Sequence, residues 1–237
     1  DRSVSRGLGD VYKRQIYIIR ISKTKAFKYI VRGFFPVLYN DLNMKTQLFY
    51  SSYLTTYLEK DLKELVYDNY SKQVGVSTNT IKTWISVLVK TGIVYLVETY
   101  NEESIIKRVV KRPKMYFFDT GFAAYLCGID SAQTLQKSFL KGRFFETFIF
   151  NEIRKSYMND GQMQQLYYYR DSEQNKVDLI LLKNGVLSCV EIKALHMFNA
   201  SNTKGFRMLQ NTRYEKGKNA ITVSYTHLRA HETLSDL

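Results

Sequence analysis

The sequence predicts an α+β chain in two parts: a winged helix-turn-helix, then an α/β module built around a second β-hairpin. Three observations predict it. Residues 68–92 (DNYSKQVGVSTNTIKTWISVLVKTG) place an amphipathic helix behind a turn signal, and two β-rich runs follow at once. Further on, VDLILLK and VLSCVEIK flank Asn184-Gly185, the preferred pair for a two-residue type I′ turn. The 237 residues are 45% hydrophobic with only two Pro, which suits packed cores rather than long linkers.

Composition narrows the function classes. Charged residues at 24% and aromatics at 14% exclude wholesale disorder and a collagen-like chain. Lys+Arg 35 against Asp+Glu 22 leaves +13, a surplus that favours a polyanionic partner, nucleic acid before a membrane surface. A merely basic surface is the plain alternative. Cys127 and Cys189 make no disulfide framework, and no Cys/His cluster with zinc spacing exists. No apolar run approaches about 20 residues, and the N-terminus lacks an apolar signal region. The expectation is a cytoplasmic protein with no membrane partner. No GxxxxGK[ST] phosphate loop occurs, so ATP is not expected to bind this stretch of chain.

Both ends read as foreign. Residues 1–15 (DRSVSRGLGDVYKRQ) and 223–237 (VSYTHLRAHETLSDL) have no amphipathic period and resemble translated sequencing-adapter read-through. They carry net charges of +2 and −1, so the basic surplus, +12 without them, belongs to the residues between. His227 and His231 fall in the second segment and are given no ligand role. The third histidine, His196, reads as a loop residue.

The elements follow in order. Residues 16–50 read as a short helix and a turn, punctuated by Gly33 and Pro36. Residues 52–65 read as a helix from the spacing of Leu54, Tyr57, Leu58, Leu62 and Leu65. In 68–92, Gly75 permits the sharp turn and Ser77 caps the second helix. Ile81, Trp84, Ile85 and Leu88 form its apolar stripe, and Gly92 suits the position just past its end. The runs IVYLVETY and IIKRVVKRPKMYFF supply two strands of a wing.

Nucleic-acid contact is expected from this half. Asn79 and Lys82 lie off the apolar stripe, where polar side chains could reach base edges in a major groove. Lys107, Arg108, Lys111, Arg112 and Lys114 place five cations in eight residues, enough to neutralise several phosphates. Two ordinary packed helices and a solvated basic edge would produce the same pattern without a DNA role.

Residues 119–140 read as a helical connection, and 141–157 as a helix with Glu146, Ile149, Phe150, Ile153 and Tyr157 on one face. A carboxylate on an apolar stripe is expensive unless paired, metal-bound or at the rim. LYYYRD reads as a strand, and the hairpin comes next. The Asn184-Gly185 turn pairs Lys183 with Val186, which sets Asp178 opposite Glu191 and leaves Lys193 on their face. Val177, Leu179, Leu181, Val190 and Ile192 then form the other, core face. Opposed like charges destabilise a sheet unless a cation lies between them or one carboxyl is protonated. Mg²⁺ suits such a pair, since it accepts one or two carboxylates with waters and phosphate oxygens. Asp178 and Glu191 are the expected metal ligands. Lys193 would orient an attacking water, and Glu146 would complete the site. A structural Asp–Lys–Glu salt-bridge cluster is the alternative.

Asp–x12–Glu–x–Lys behind a helical Glu resembles the PD-(D/E)XK restriction-endonuclease-like superfamily, although Val177 stands where a Pro often precedes the Asp. A closer resemblance covers most of 31–222. GFFPVLYN, YLTTYLEKDLKEL, VGVSTNTIKTWISVLVKTGIVYL, KRVVKRPKMYFFDTGFAAYL, GRFFETFIFNEI, YYYRD, VDLILL and VEIK occur in that order. This is similar to the C-terminal domain of unknown function that follows an AAA-type ATPase module in many bacterial and archaeal proteins. The chain departs from that pattern in passing almost directly from Leu65 to Asp68, where the family has further helices.

The expected layout is an adapter-like 1–15, a remnant or linker at 16–50 after the ATPase module that the resemblance implies, and a winged-helix domain at 51–125. A PD-(D/E)XK-like domain at 126–222 and an adapter-like 223–237 complete the expected layout. The expected function is nucleic-acid binding, DNA before RNA, with a Mg²⁺-dependent nuclease-like site, as part of an ATPase. The alternative is a non-catalytic DNA-binding or protein-interaction module of the same family.

Overall fold

The structure, a computed structural model, describes residues 23–58, 77–100, 112–159, 161, 165–171, 173–183, 186–193, 209 and 221–227. The first helix of the helix-turn-helix, Lys107, Arg108, Lys111, the 184–185 turn and the segments 1–15 and 228–237 lie outside the described residues. The chain divides into two compact units, Thr24–Leu96 with Met115–Phe144, and Asp1–Lys23 with Val97–Lys114 and Phe145–Leu237.

The first unit is mainly helical. Where one short helix and a turn were expected, three helices form: α1 (Lys23–Arg32), α2 (Val37–Asn40) and α3 (Thr46–Tyr53), the last continued by a π-helical turn at Leu54–Leu58. The turn at Gly33 and Pro36 forms as expected, and it separates two helices. α4 (Thr78–Lys90) is the helix expected to read DNA. Ser77 caps it, its hydroxyl accepting from the Thr80 N–H at 3.2 Å. Trp84, Ile85 and Leu88 of the expected stripe are part-buried, but Ile81 is 44% exposed, and Val87, outside the stripe, is 6% exposed. β2 (Lys114–Phe117) lies beside β1 (Val94–Thr99), and the short helices α5 (Thr120–Leu126) and α6 (Ala132–Lys137) follow. Leu38, Tyr50, Ile93, Val94 and Phe122 form the core, ringed by Phe35, Phe49 and Tyr53.

A carboxylate ties this core together. Asp119 caps α5, accepting the Phe122 N–H at 2.6 Å. It also accepts the Phe34 N–H and the Tyr50 hydroxyl, each at 2.6 Å. Two glycines let these groups meet. A Cβ on Gly33, whose φ is +82°, would lie 1.9 Å from Tyr50 Oη, and one on Gly121 would lie 2.6 Å from Gly33 Cα. Burial first, then the Asp119 charge and hydrogen bond, push the Tyr50 hydroxyl far above the ordinary tyrosine value. The folded chain thus holds this proton more tightly than the unfolded chain. The resulting stability is complete below about pH 10 and is lost as pH rises above it. Tyr50→Phe is expected to lower stability at neutral pH by about 1–3 kcal/mol. It should also flatten the alkaline decline by up to about 1.4 kcal/mol per pH unit. Urea unfolding at neutral pH and above about pH 10 checks both; equal slopes in the two proteins would remove Tyr50 as the cause.

The second unit carries the strands β3 (Gln165–Arg170), β4 (Lys176–Lys183), β5 (Val186–Lys193) and β6 (Ile221–His227), together with most of α7 (Lys141–Asn159). Its strand order is β1-β3-β4-β5-β6. β1 runs parallel to β3, pairing Glu98 with Tyr167, so this strand of the expected wing also belongs to a larger sheet. β3, β4 and β5 form an antiparallel meander, and β6 returns parallel to β5. A parallel return needs a crossover of a dozen or more residues, which the chain between Lys193 and Ile221 supplies. The β4–β5 ladder pairs Lys183 with Val186, Ile180 with Cys189 and Leu179 with Val190, the register that the Asn184-Gly185 turn dictates.

Two expectations need correction here. Residues 223–227, read as foreign, complete β6, with Tyr225 opposite Glu191 and His227 opposite Lys193. TVSYTH is rich in β-branched and aromatic residues, and the open edge of β5 offers unpaired backbone groups to such a segment. The Tyr225 side chain lies outside the described residues. Secondly, the hairpin does not divide into one core face and one site face. Val177, Asp178, Leu179, Ile180 and Leu181 are all buried. Ile180, Leu187 and Cys189, on the face of Asp178, join Tyr100, Tyr169, Val177 and Leu209 in the core. β4 thus carries the continuous run of apolar residues of a strand covered on both faces.

Candidate active site at the end of the β4–β5 hairpin

The carboxylates lie where the described ladder stops. Regular pairing ends at Leu179–Val190, one pair short of Asp178 and Glu191. At that point the Asp178 side chain takes over a backbone donor: Ile192 N–H donates to Asp178 Oδ2 at 3.1 Å. Asp178 is 1% exposed and Glu191 3%. Buried carboxylates this close to an apolar core need compensating charge, because the desolvation of each ion costs several kcal/mol.

Lysines supply that charge. Lys176 Nζ donates to Asp178 Oδ1 at 3.0 Å. Lys114 Nζ donates to Glu146 Oε1 of α7 at 2.9 Å and lies 3.9 Å from Asp178 Oδ1. The Lys114 ammonium also stands 5.0 Å from the centre of the Tyr168 ring, whose hydroxyl donates to the Arg112 carbonyl. Burial alone would lower the Lys176 pKa, but the Asp178 carboxylate, aided by Glu191 and Glu146, outweighs it and leaves Lys176 above its ordinary value. Three acids and two bases thus share one electrostatic site, with a sum of −1 over these five groups.

The structure brings together Asp178, Glu191 and Glu146 of the expected set. Glu146 engages Lys114, as a rim carboxylate would. Lys193 is the last residue of β5, and its side chain lies outside the described residues. Lys176 and Lys114 were not expected here. Lys176 was legible, since it lies two residues before Asp178 on the same side of a strand. Lys114 was counted with the basic wing, and no local pattern links it to a helix thirty residues further along. Of the expected nucleic-acid contacts, Asn79 and Lys82 are exposed on α4, and Arg112 is exposed.

Two carboxylates on adjacent strands offer hard oxygen donors, the class that Mg²⁺ prefers with waters or phosphate oxygens completing its shell. Among the described residues no group of three or more His, Cys, Asp or Glu is disposed to hold a metal ion. No described helix is long and apolar enough to cross a membrane.

The strands, the helix and this charged cluster define a mixed α/β module with buried acid–lysine chemistry at the end of a hairpin. Residues 141–235 are similar to a family described as a domain of unknown function (DUF4143). Residues 63–133 are similar to a second domain of unknown function (DUF8612). No curated protein matches the chain. No solved structure matches it.

Proposed function

We propose that this chain is a nucleic-acid-binding module with a Mg²⁺-dependent phosphodiester-hydrolysing site, working within a larger ATPase. The observation that carries the reading is the burial of Asp178 and Glu191, at 1% and 3% exposure, beside two lysines. Buried, charge-partnered ionisable groups of this kind concentrate at functional sites. The resemblance to the PD-(D/E)XK superfamily and to AAA-linked C-terminal domains supplies the reaction class and the parent. Mg²⁺ held by Asp178 and Glu191 would supply positive charge to the phosphoryl oxygens and acidify a water. Asp178 is oriented for that task by the Ile192 N–H. Glu146 holds the Lys114 ammonium near Asp178, where a cation can meet a phosphate oxygen. Lys193, at the end of the same strand, is assigned the orientation of water. Asn79, Lys82, Lys107, Arg108, Lys111 and Arg112 are assigned to nucleic-acid contact.

The ion pairs themselves favour a second reading, a non-catalytic binding module in which the lysines alone satisfy the carboxylates. Calorimetric Mg²⁺ titration of the chain, with cleavage of duplex and single-stranded DNA, separates the two. Metal uptake with metal-dependent cleavage is expected; duplex binding with neither would leave the non-catalytic reading standing. Replacing Lys107, Arg108, Lys111 and Arg112 together by Ala should flatten the salt dependence of duplex binding by about 0.9 per lost phosphate contact. An unchanged slope would remove the wing from the interface.

A further inference from the structure

We infer that Lys176 occupies the metal position of Asp178, so that a divalent cation binds this site only by displacing it. The inference rests on the metal-site reading and adds a determinant of metal affinity to it. Asp178 has two oxygens, and the structure shows both in use: Oδ2 accepts the Ile192 N–H at 3.1 Å, and Oδ1 accepts the Lys176 ammonium at 3.0 Å. The backbone donor is fixed by the strand. The lysine is not, because its side chain is 47% exposed while the carboxylate it meets is 1% exposed. Oδ1 is therefore the oxygen a metal can reach, and Lys176 is the group that must give way.

The two lysines differ in this respect. Lys114 is confined by Glu146 at 2.9 Å and by the Tyr168 ring at 5.0 Å, and it stands 3.9 Å from Asp178 Oδ1. It can stay in place when Oδ1 changes partner. Lys176 has an open path to water, and its long stem reaches solvent by rotation alone. Without metal it helps to neutralise a carboxylate that is only 1% exposed. With metal it becomes a mobile cation at the mouth of the site, placed to meet a polyanion.

The test is a comparison of wild type, Lys176→Met and Lys114→Met, each as the full chain. Calorimetry with MgCl₂ alone reads affinity, and thermal unfolding in EDTA reads the metal-free state. Lys176→Met is expected to tighten Mg²⁺ binding about three- to tenfold, the range that losing one partly exposed competing ion pair allows. It should also lower the unfolding temperature in EDTA, and adding Asp178→Asn should restore it, because the buried charge that Lys176 balances is then gone. Lys114→Met should not tighten Mg²⁺ binding. Unchanged or weaker Mg²⁺ binding by Lys176→Met, with wild type binding normally, overturns the inference and leaves the metal site standing. Absence of Mg²⁺ binding in wild type and in Lys176→Met alike overturns both. Binding that appears only in Lys176→Met supports displacement and shows that Lys176 holds the site closed.

Discussion

Asp178→Asn is expected to reduce metal-dependent cleavage by more than about 100-fold while leaving the fold intact. Even outer-shell partners of metal ligands are worth about 10–100-fold in affinity or activity, and Asp178 is the proposed direct ligand. The amide keeps an oxygen for the Ile192 N–H, so the backbone donor that Asp178 serves at 3.1 Å stays satisfied. Lys176, half in water, loses its partner at little cost, because water solvates its ammonium and the substitution removes the buried charge with it. Calorimetric Mg²⁺ titration, a cleavage assay and thermal unfolding in EDTA read the three parts of the expectation. Cleavage at the wild-type rate by a well-folded variant would rule out Asp178 as a metal ligand. A variant that loses cleavage only because it unfolds would show instead that the carboxylate is structural.

Asp119→Ala should have the largest effect on stability, about 3–5 kcal/mol. Three donors converge on this carboxylate: the N–H groups of Phe34 and Phe122 and the hydroxyl of Tyr50, all at 2.6 Å. Hydrogen bonds to a charged acceptor contribute about 1.5–3 kcal/mol each, and the contributions of donors sharing one acceptor do not add fully. The N-cap of α5 goes with them, worth about 1 kcal/mol of that sum. Asp119→Asn retains an acceptor oxygen and should lose less than half as much. Urea unfolding of both variants is the measurement. A loss below about 1 kcal/mol for alanine would mean that water replaces the carboxylate and that the hub is dispensable.

What sequence reasoning recovered, it recovered from local chemistry. Ser77 caps α4 because a hydroxyl at that position satisfies a free N–H, and Gly92 takes a φ of +71° just past the helix end. The β4–β5 register follows from a two-residue turn, and the pairs from Lys183–Val186 to Leu179–Val190 obey it. Asp178 and Glu191 stood out because carboxylates interrupt apolar strands. Short-range pattern did not show that α1, α2 and α3 divide residues 23–53, because each is too short for its period to declare itself. It also put Ile81 on the inward face of α4 and left out Val87, since neighbours rather than periodicity decide which turn of a helix is covered.

The sequence by itself determined the mixed α+β character, the hairpin register and the presence of a paired carboxylate motif. Each depends on residues within a turn or a strand of one another. Only the tertiary structure decided that both faces of the hairpin are covered, and that residues 221–227 add a parallel strand. It alone decided which cations meet the carboxylates. Lys114 reaches Glu146 and Asp178 from a distant strand, and Asp119 gathers Phe34 and Tyr50 from a loop and a helix far earlier in the chain. The physical reason is the same throughout. Burial and charge pairing depend on distance in space, and no period along a chain encodes which remote segment fills the space beside a given side chain.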